Sequence, residues 1–228
     1  MLPALRFPAV AAAAATIALG AAACGSSSSA DNSSKSASSA PATASSAPAT
    51  PTPTATIAKL TGVDTQVTLD AATAGVLKSN GVSVAPVGPA TATMAGSNTV
   101  VAFPITGGHV SLFDKSVQAN GTPWIQGEVD HSGGLTFAAG GKEVTVTNFI
   151  VDPGKSLLTA TAGGAQVPLL FLDGTNVAVS KDAAGHVLLD GTVAKLTQQA
   201  ADALNTTFGV SLFKKDIPVG TVHLTAAG

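Results

Sequence analysis

The chain has 228 residues, of which only 11% are charged, and a formal net charge of -2. That balance gives no electrostatic reason to expect a nucleic-acid partner, which would need a basic face. Tyrosine is absent, Trp124 is the only tryptophan and Cys24 the only cysteine. A core must therefore be built from Val, Leu, Ile, Ala and Phe, without disulfide support.

The first elements are a leader and a tract. Met1 to Arg6 carries one positive charge, Phe7 to Leu19 is apolar, and small residues lead to Cys24. An apolar run this short is the length of a signal peptide and falls below a membrane span. Gly20-Ala21-Ala22-Ala23-Cys24 resembles the lipobox of bacterial lipoproteins, with Ala21 where Leu is usual, and Gly25 followed by four serines resembles the start of actinomycete lipoproteins. The resemblance implies a signal peptide over residues 1–23, cleavage before Cys24, acyl chains of the palmitate type on that residue, and attachment to the extracytoplasmic face of the cell membrane. Two chains at ~0.8 kcal/mol per buried methylene hold a protein where one would be marginal. The competing reading is an ordinary cleaved secretory signal with Cys24 a bystander.

Residues 24–54 continue as a Ser/Ala/Thr/Pro-rich stalk, which buries too little apolar surface to offset the entropy of ordering and is expected to be disordered. It would reach about 30 Å as a coil or about 90 Å as a polyproline helix, and its Ser/Thr content suits O-linked sugar.

From Ala55 to Gly228 period-two alternation dominates, which predicts a single mainly β domain, an antiparallel β-sandwich or barrel-like meander. Hairpins are expected across Thr106-Gly107-Gly108, Gly140-Gly141, Gly163-Gly164 and Lys181 to Gly185, with a tight turn at Gly133-Gly134. Two short helices interrupt the strands. Asp70 caps one through Asn80, ended by Gly81, with Leu69 and Leu77 on its apolar side; Thr197 caps another to about Thr207, ended by Gly209, burying Leu204 and Ala200 or Ala201. The two helix–Gly–strand passages look alike, which is either convergence or pseudo-symmetry with two helices closing equivalent openings.

Chemistry is sparse. His131 lies beside Glu128 and Asp130, and is either a ligand-directed histidine or a polar hairpin tip bonded to its own turn. His109 starts a strand after Gly107-Gly108, and His186 and His223 read as surface residues. Trp124, after Gly121-Thr122-Pro123, is a core filler or an exposed recognition aromatic. His131, His109, Glu128 and Trp124 are the candidate ligand-binding residues, on the condition that they converge in one cleft. No spacing matches a zinc site, no nucleophile elbow is present, and the Asp173-Gly174 and Asp190-Gly191 pairs read as turn formers. Among the acids only Asp152 has a setting that would raise its pKa, so no catalytic residues are assigned and the chain is read as a non-enzyme.

Phe103-Pro-Ile-Thr-Gly-Gly108, His131-Ser-Gly-Gly-Leu135, the Val144 to Pro153 strand and the Leu196 to Phe208 helix resemble a group of secreted actinomycete proteins. The Gly-rich turn with His131 and Leu135 before a strand ending in Asp152-Pro153 is also similar to HtaA-type domains, β-rich haem-binding modules of cell-surface haem uptake. The resemblance spans Val100 to Thr225 and implies haem as a cofactor. In that family a tyrosine supported by histidine binds the haem, and this chain has no tyrosine, so no axial ligand carries over. The reading is a lipid-anchored surface module for binding or structure, whose partners are membrane lipid and a cell-wall or small apolar ligand. Haem capture and wall-polysaccharide hydrolysis are the alternatives.

Overall fold

β-branched and aromatic residues alternate with small polar ones over most of the chain after residue 54, so each strand offers one apolar face and the strands associate until those faces are covered. The computed structural model describes residues 50–228; the expected leader, Cys24 and most of the stalk lie outside the described residues. In chain order the elements are β1 (Ala55–Ile57), β2 (Gly62–Leu69), α1 (Ala71–Ser79), β3 (Ser83–Val87), β4 (Thr91–Ala95), β5 (Asn98–Leu112), a 3-10 helix (Lys115–Asn120), β6 (Ile125–His131), β7 (Gly134–Ala139), β8 (Lys142–Asp152), β9 (Leu157–Ala162), β10 (Ala165–Asp173), β11 (Ala178–Lys181), β12 (Val187–Leu196), α2 (Gln198–Phe208) and β13 (Pro218–Ala227).

Eight of these strands close on themselves in the order β5–β2–β13–β12–β10–β9–β8–β6, and β6 returns to β5; every pairing is antiparallel. The ring is completed by a short contact in which Val129 and Asp130 pair with Val151 and Ile150. Closure removes the free edges that a sandwich would leave. The additional strands lie outside the ring: β1 and β4 pair with β5, β7 with β8, β3 with β7, and β11 with β12. The fold is therefore the barrel of the two β architectures that the alternation allows.

Both expected helices are present within a residue or two. The Asp70 carboxylate accepts from the Thr73 amide at 2.8 Å, and the Thr197 hydroxyl accepts from the Ala200 amide at 3.1 Å while donating to the Pro168 carbonyl at 2.9 Å. They leave β2 and β12, the two strands that flank β13, and so sit at the same end of the barrel. They differ in depth. Helix α2 buries Ala200, Ala201 and Leu204 and packs on β8 and β10, whereas α1 buries no residue completely. One helix packs into the core and the other stays largely outside it, so the two are not packed equivalently.

Two Gly-Gly pairs expected to reverse the chain do not. Gly107-Gly108 lies inside the unbroken fifteen-residue strand β5, and Gly133-Gly134 carries the chain from β6 straight on to β7 along the same edge of β8. At Gly108, φ is +111°, and a Cβ would collide with the Glu128 carbonyl; at Gly133, φ is +86°, and a Cβ would meet the backbone of Ala90 at 2.5 Å. These glycines serve close backbone approach. At the true turns, Gly140-Gly141 and Gly163-Gly164, a Cβ would meet nothing within 4 Å. Asp190-Gly191 likewise marks a bulge in β12 and is not a turn.

Candidate functional site

Alternation along β6 aims Ile125, Val129 and His131 inward and leaves Glu128 outside. His131 is the last residue of that strand and only 5% exposed, against Thr65 of β2 at 3%. Its Nε2 lies 2.7 Å from the Thr65 hydroxyl, and its Nδ1 lies 3.1 Å from the carbonyl oxygen of Phe149. A carbonyl can only accept, so Nδ1 carries the proton and donates to Phe149, and a neutral ring then accepts at Nε2 from Thr65. Burial holds the imidazole below its ordinary pKa of 6.5, outweighing the Phe149 bond and the Asp130 charge, which act in the opposite sense. His131 is thus a satisfied, neutral histidine in the barrel wall, not a hairpin tip. Phe103 and Phe149 meet edge to face beside it, with centroids 4.9 Å apart.

The barrel interior holds a cavity of about 630 Å³. Its walls come from inward-facing Val, Leu, Ile and Phe on most of the ring strands, including Val67, Val101, Phe103, Phe149, Leu172 and Leu224. Three connections surround its mouth: the loop from β5 to β6 with Lys115 and Trp124, the Pro153–Ser156 turn, and the Asp173–Val177 loop. Trp124 is half-buried against the core, and the Lys115 ammonium sits 4.5 Å above its ring. Trp124 therefore packs against the core and lines the cavity at once.

Of the four candidate residues, the structure brings two to the cavity and leaves two outside. His131 and Trp124 both line it, but His131 ends the seven-residue strand β6 and Trp124 immediately precedes it, roughly 20 Å away along the strand. They stand far apart on the cavity wall and do not meet in one cleft. His109 and Glu128 are cross-strand partners on the exposed outer face of β5 and β6, away from the cavity. Strand parity separates them: a residue next to an inward position points outward. His223 is exposed and paired with Asp190 at 2.8 Å; His186 is half-buried and bonded to Asp182 at 2.8 Å.

Lys115, His131 and Asp173 are the titratable side chains lining the cavity among the described residues. The Asp173 carboxylate accepts from Lys195 at 2.7 Å and from the Thr175 hydroxyl at 2.6 Å, which hold its pKa far below the carboxylate range. Asp152 does not have a raised pKa: burial pushes it up, but the Lys155 side chain at 2.6 Å, together with backbone amides, brings it below the ordinary value. No cluster of three or more metal-ligating side chains occurs among the described residues. Sequence reasoning missed Thr65, Phe103 and Phe149 as site residues; the only local sign was their place on inward faces of alternating strands.

Fold and cavity define a closed eight-stranded antiparallel barrel with an apolar interior open at one end. No protein-family model matches the sequence, and no curated protein does. The chain is similar in structure to the C-terminal domain of HtaA from Corynebacterium glutamicum, with a TM-score of 0.45 and 12% identity over 73% of this chain and 98% of that domain.

Proposed function

We propose that the folded part is a binding module that takes an apolar small molecule into the barrel, held outside the cell membrane by lipid on Cys24. The observation that carries this is the 630 Å³ cavity with its hydrocarbon walls. It falls within the 300–1,000 Å³ range of small-molecule sites, and eight strands give a barrel wide enough to hold one ligand. Empty apolar space of this size is costly for a domain without disulfides, and a ligand filling it restores the lost dispersion contacts.

The test is a titration of the mature chain with a solvatochromic apolar dye. Saturable one-to-one binding is expected, with a rise in melting temperature corresponding to ~2.7 kcal/mol at a dye concentration of a hundred times Kd. In Val222→Trp, which fills the cavity from β13, binding should disappear while the far-ultraviolet circular dichroism is retained. Equal binding by that variant would place the dye on the surface and end the proposal.

Haem capture finds little support in the side chains. Both ring nitrogens of His131 are engaged with the wall, so haem iron would have to displace Thr65 or Phe149 to reach it. A Soret shift on haem addition that vanishes in His131→Ala would favour haem over other apolar ligands. Wall-polysaccharide hydrolysis is favoured by no observation, since the single carboxylate lining the cavity is neutralised by Lys195.

A further inference from the structure

The polar groups around the cavity are unevenly committed. Among the described residues no buried side-chain nitrogen or oxygen lacks a partner, and at the deep end His131 and Thr65 satisfy each other. A polar group of a ligand placed there would have to break a buried hydrogen bond, while a hydrocarbon loses nothing. The deep end therefore selects for apolar matter.

The mouth is different. Asp173 is taken by Lys195, and Asp152 at the neighbouring turn by Lys155. Asp114, the residue next to Lys115, uses its carboxylate to cap the 3-10 helix through the Ser116 amide at 2.8 Å. Lys115 has no carboxylate partner among the described residues, and its ammonium rests on the Trp124 ring. The lining thus carries one uncompensated charge, positive and at the rim.

The lining runs inward from that rim to His131, roughly 20 Å along β6, and on past it to Leu135. Its volume of about 630 Å³ takes roughly twenty groups of the size of a water molecule, at ~30 Å³ each. An elongated hydrocarbon chain fits such a space.

We propose that the ligand is a single-chain anionic amphiphile, with its hydrocarbon along the barrel and its head group against Lys115 at the mouth. This rests on the binding reading above and adds the polarity, orientation and chemical class of the ligand. Lysine acts as a point charge and accepts either a carboxylate or a phosphate.

The experiment uses the full mature chain and calorimetric titration with tetradecanoic acid, tetradecyl phosphate and the uncharged tetradecanol. Each is measured on the wild type, Lys115→Gln and Lys115→Arg. One or both anions are expected to bind about threefold more tightly than the alcohol, the effect of a solvent-exposed ion pair. That advantage should vanish in Lys115→Gln, return in Lys115→Arg and shrink with added salt. Whichever anion binds better identifies the head group. If the alcohol binds as tightly as both anions, or if Lys115→Gln weakens all three alike, the head-group assignment is overturned while the apolar cavity stands. If none of the three binds, and the dye does not bind either, the binding reading fails with it.

Discussion

His131 is where the physics of the site is most concentrated. Its neutral form is the one the wall accommodates, so its folded pKa lies below the value of 6.5 that it has when unfolded. Between those two values the unfolded chain binds the extra proton. Stability is therefore undiminished above about pH 7 and lost as the pH falls below 6.5, by up to ~1.4 kcal/mol per pH unit. Urea unfolding followed by Trp124 emission at pH 7.5, 6 and 5 should show that loss, and His131→Gln should flatten it relative to the wild type. Parallel pH dependences in the two proteins would contradict the assignment. His131 itself was legible in the sequence as a site candidate, but its setting was not. Its partners Thr65 and Phe149 stand 66 and 18 residues away, and no local pattern reports a contact at such separations. For Glu128 and His109, strand alternation was legible, but which face was inward depended on how the sheet closed.

At the scale of elements, the two helices share local chemistry and differ in packing. Each has a side-chain cap at its start, and each is followed by a glycine at φ +69°. Those signals are local, which is why the sequence located both helices closely. Leu204 is 6% exposed within the hydrophobic core, while Leu77 is only partly buried against it. Leu204→Ala should destabilise the domain by about 2–5 kcal/mol, and Leu77→Ala by distinctly less. Similar losses in thermal unfolding would mean that the two helices are anchored alike after all. The strands show the same division. The hairpins at Gly140-Gly141 and Gly163-Gly164 were legible because a turn is built from its own residues. Gly107-Gly108 and Gly133-Gly134 carry the same dipeptide but answer to a neighbouring backbone. That neighbour is supplied only by the fold.

For the molecule as a whole, the proposed anchor and the proposed binding role would together make the barrel a ligand container kept beside a membrane. The anchor has its own test. Mass spectrometry of the mature protein from its native host should find Cys24 at the N-terminus carrying acyl chains, and Cys24→Ala should leave the membrane fraction. An unmodified N-terminus, or a variant that stays with the membrane, would remove the anchor from the proposal and leave the cavity untouched.

By itself, the sequence determined the β class of the domain, its two helices and the absence of any disulfide, because alternation, caps and cysteine count are properties of neighbouring residues and of composition. It also supplied the motif from which the anchor at Cys24 is argued. Only the tertiary structure decided between sandwich and barrel, since closure depends on a short pairing of β6 with β8 that no stretch of sequence contains. The same closure placed His131 and Trp124 far apart on the wall of one cavity and left Lys115 as its uncompensated charge. A cavity is the space between strands, and its shape and polarity belong to their arrangement.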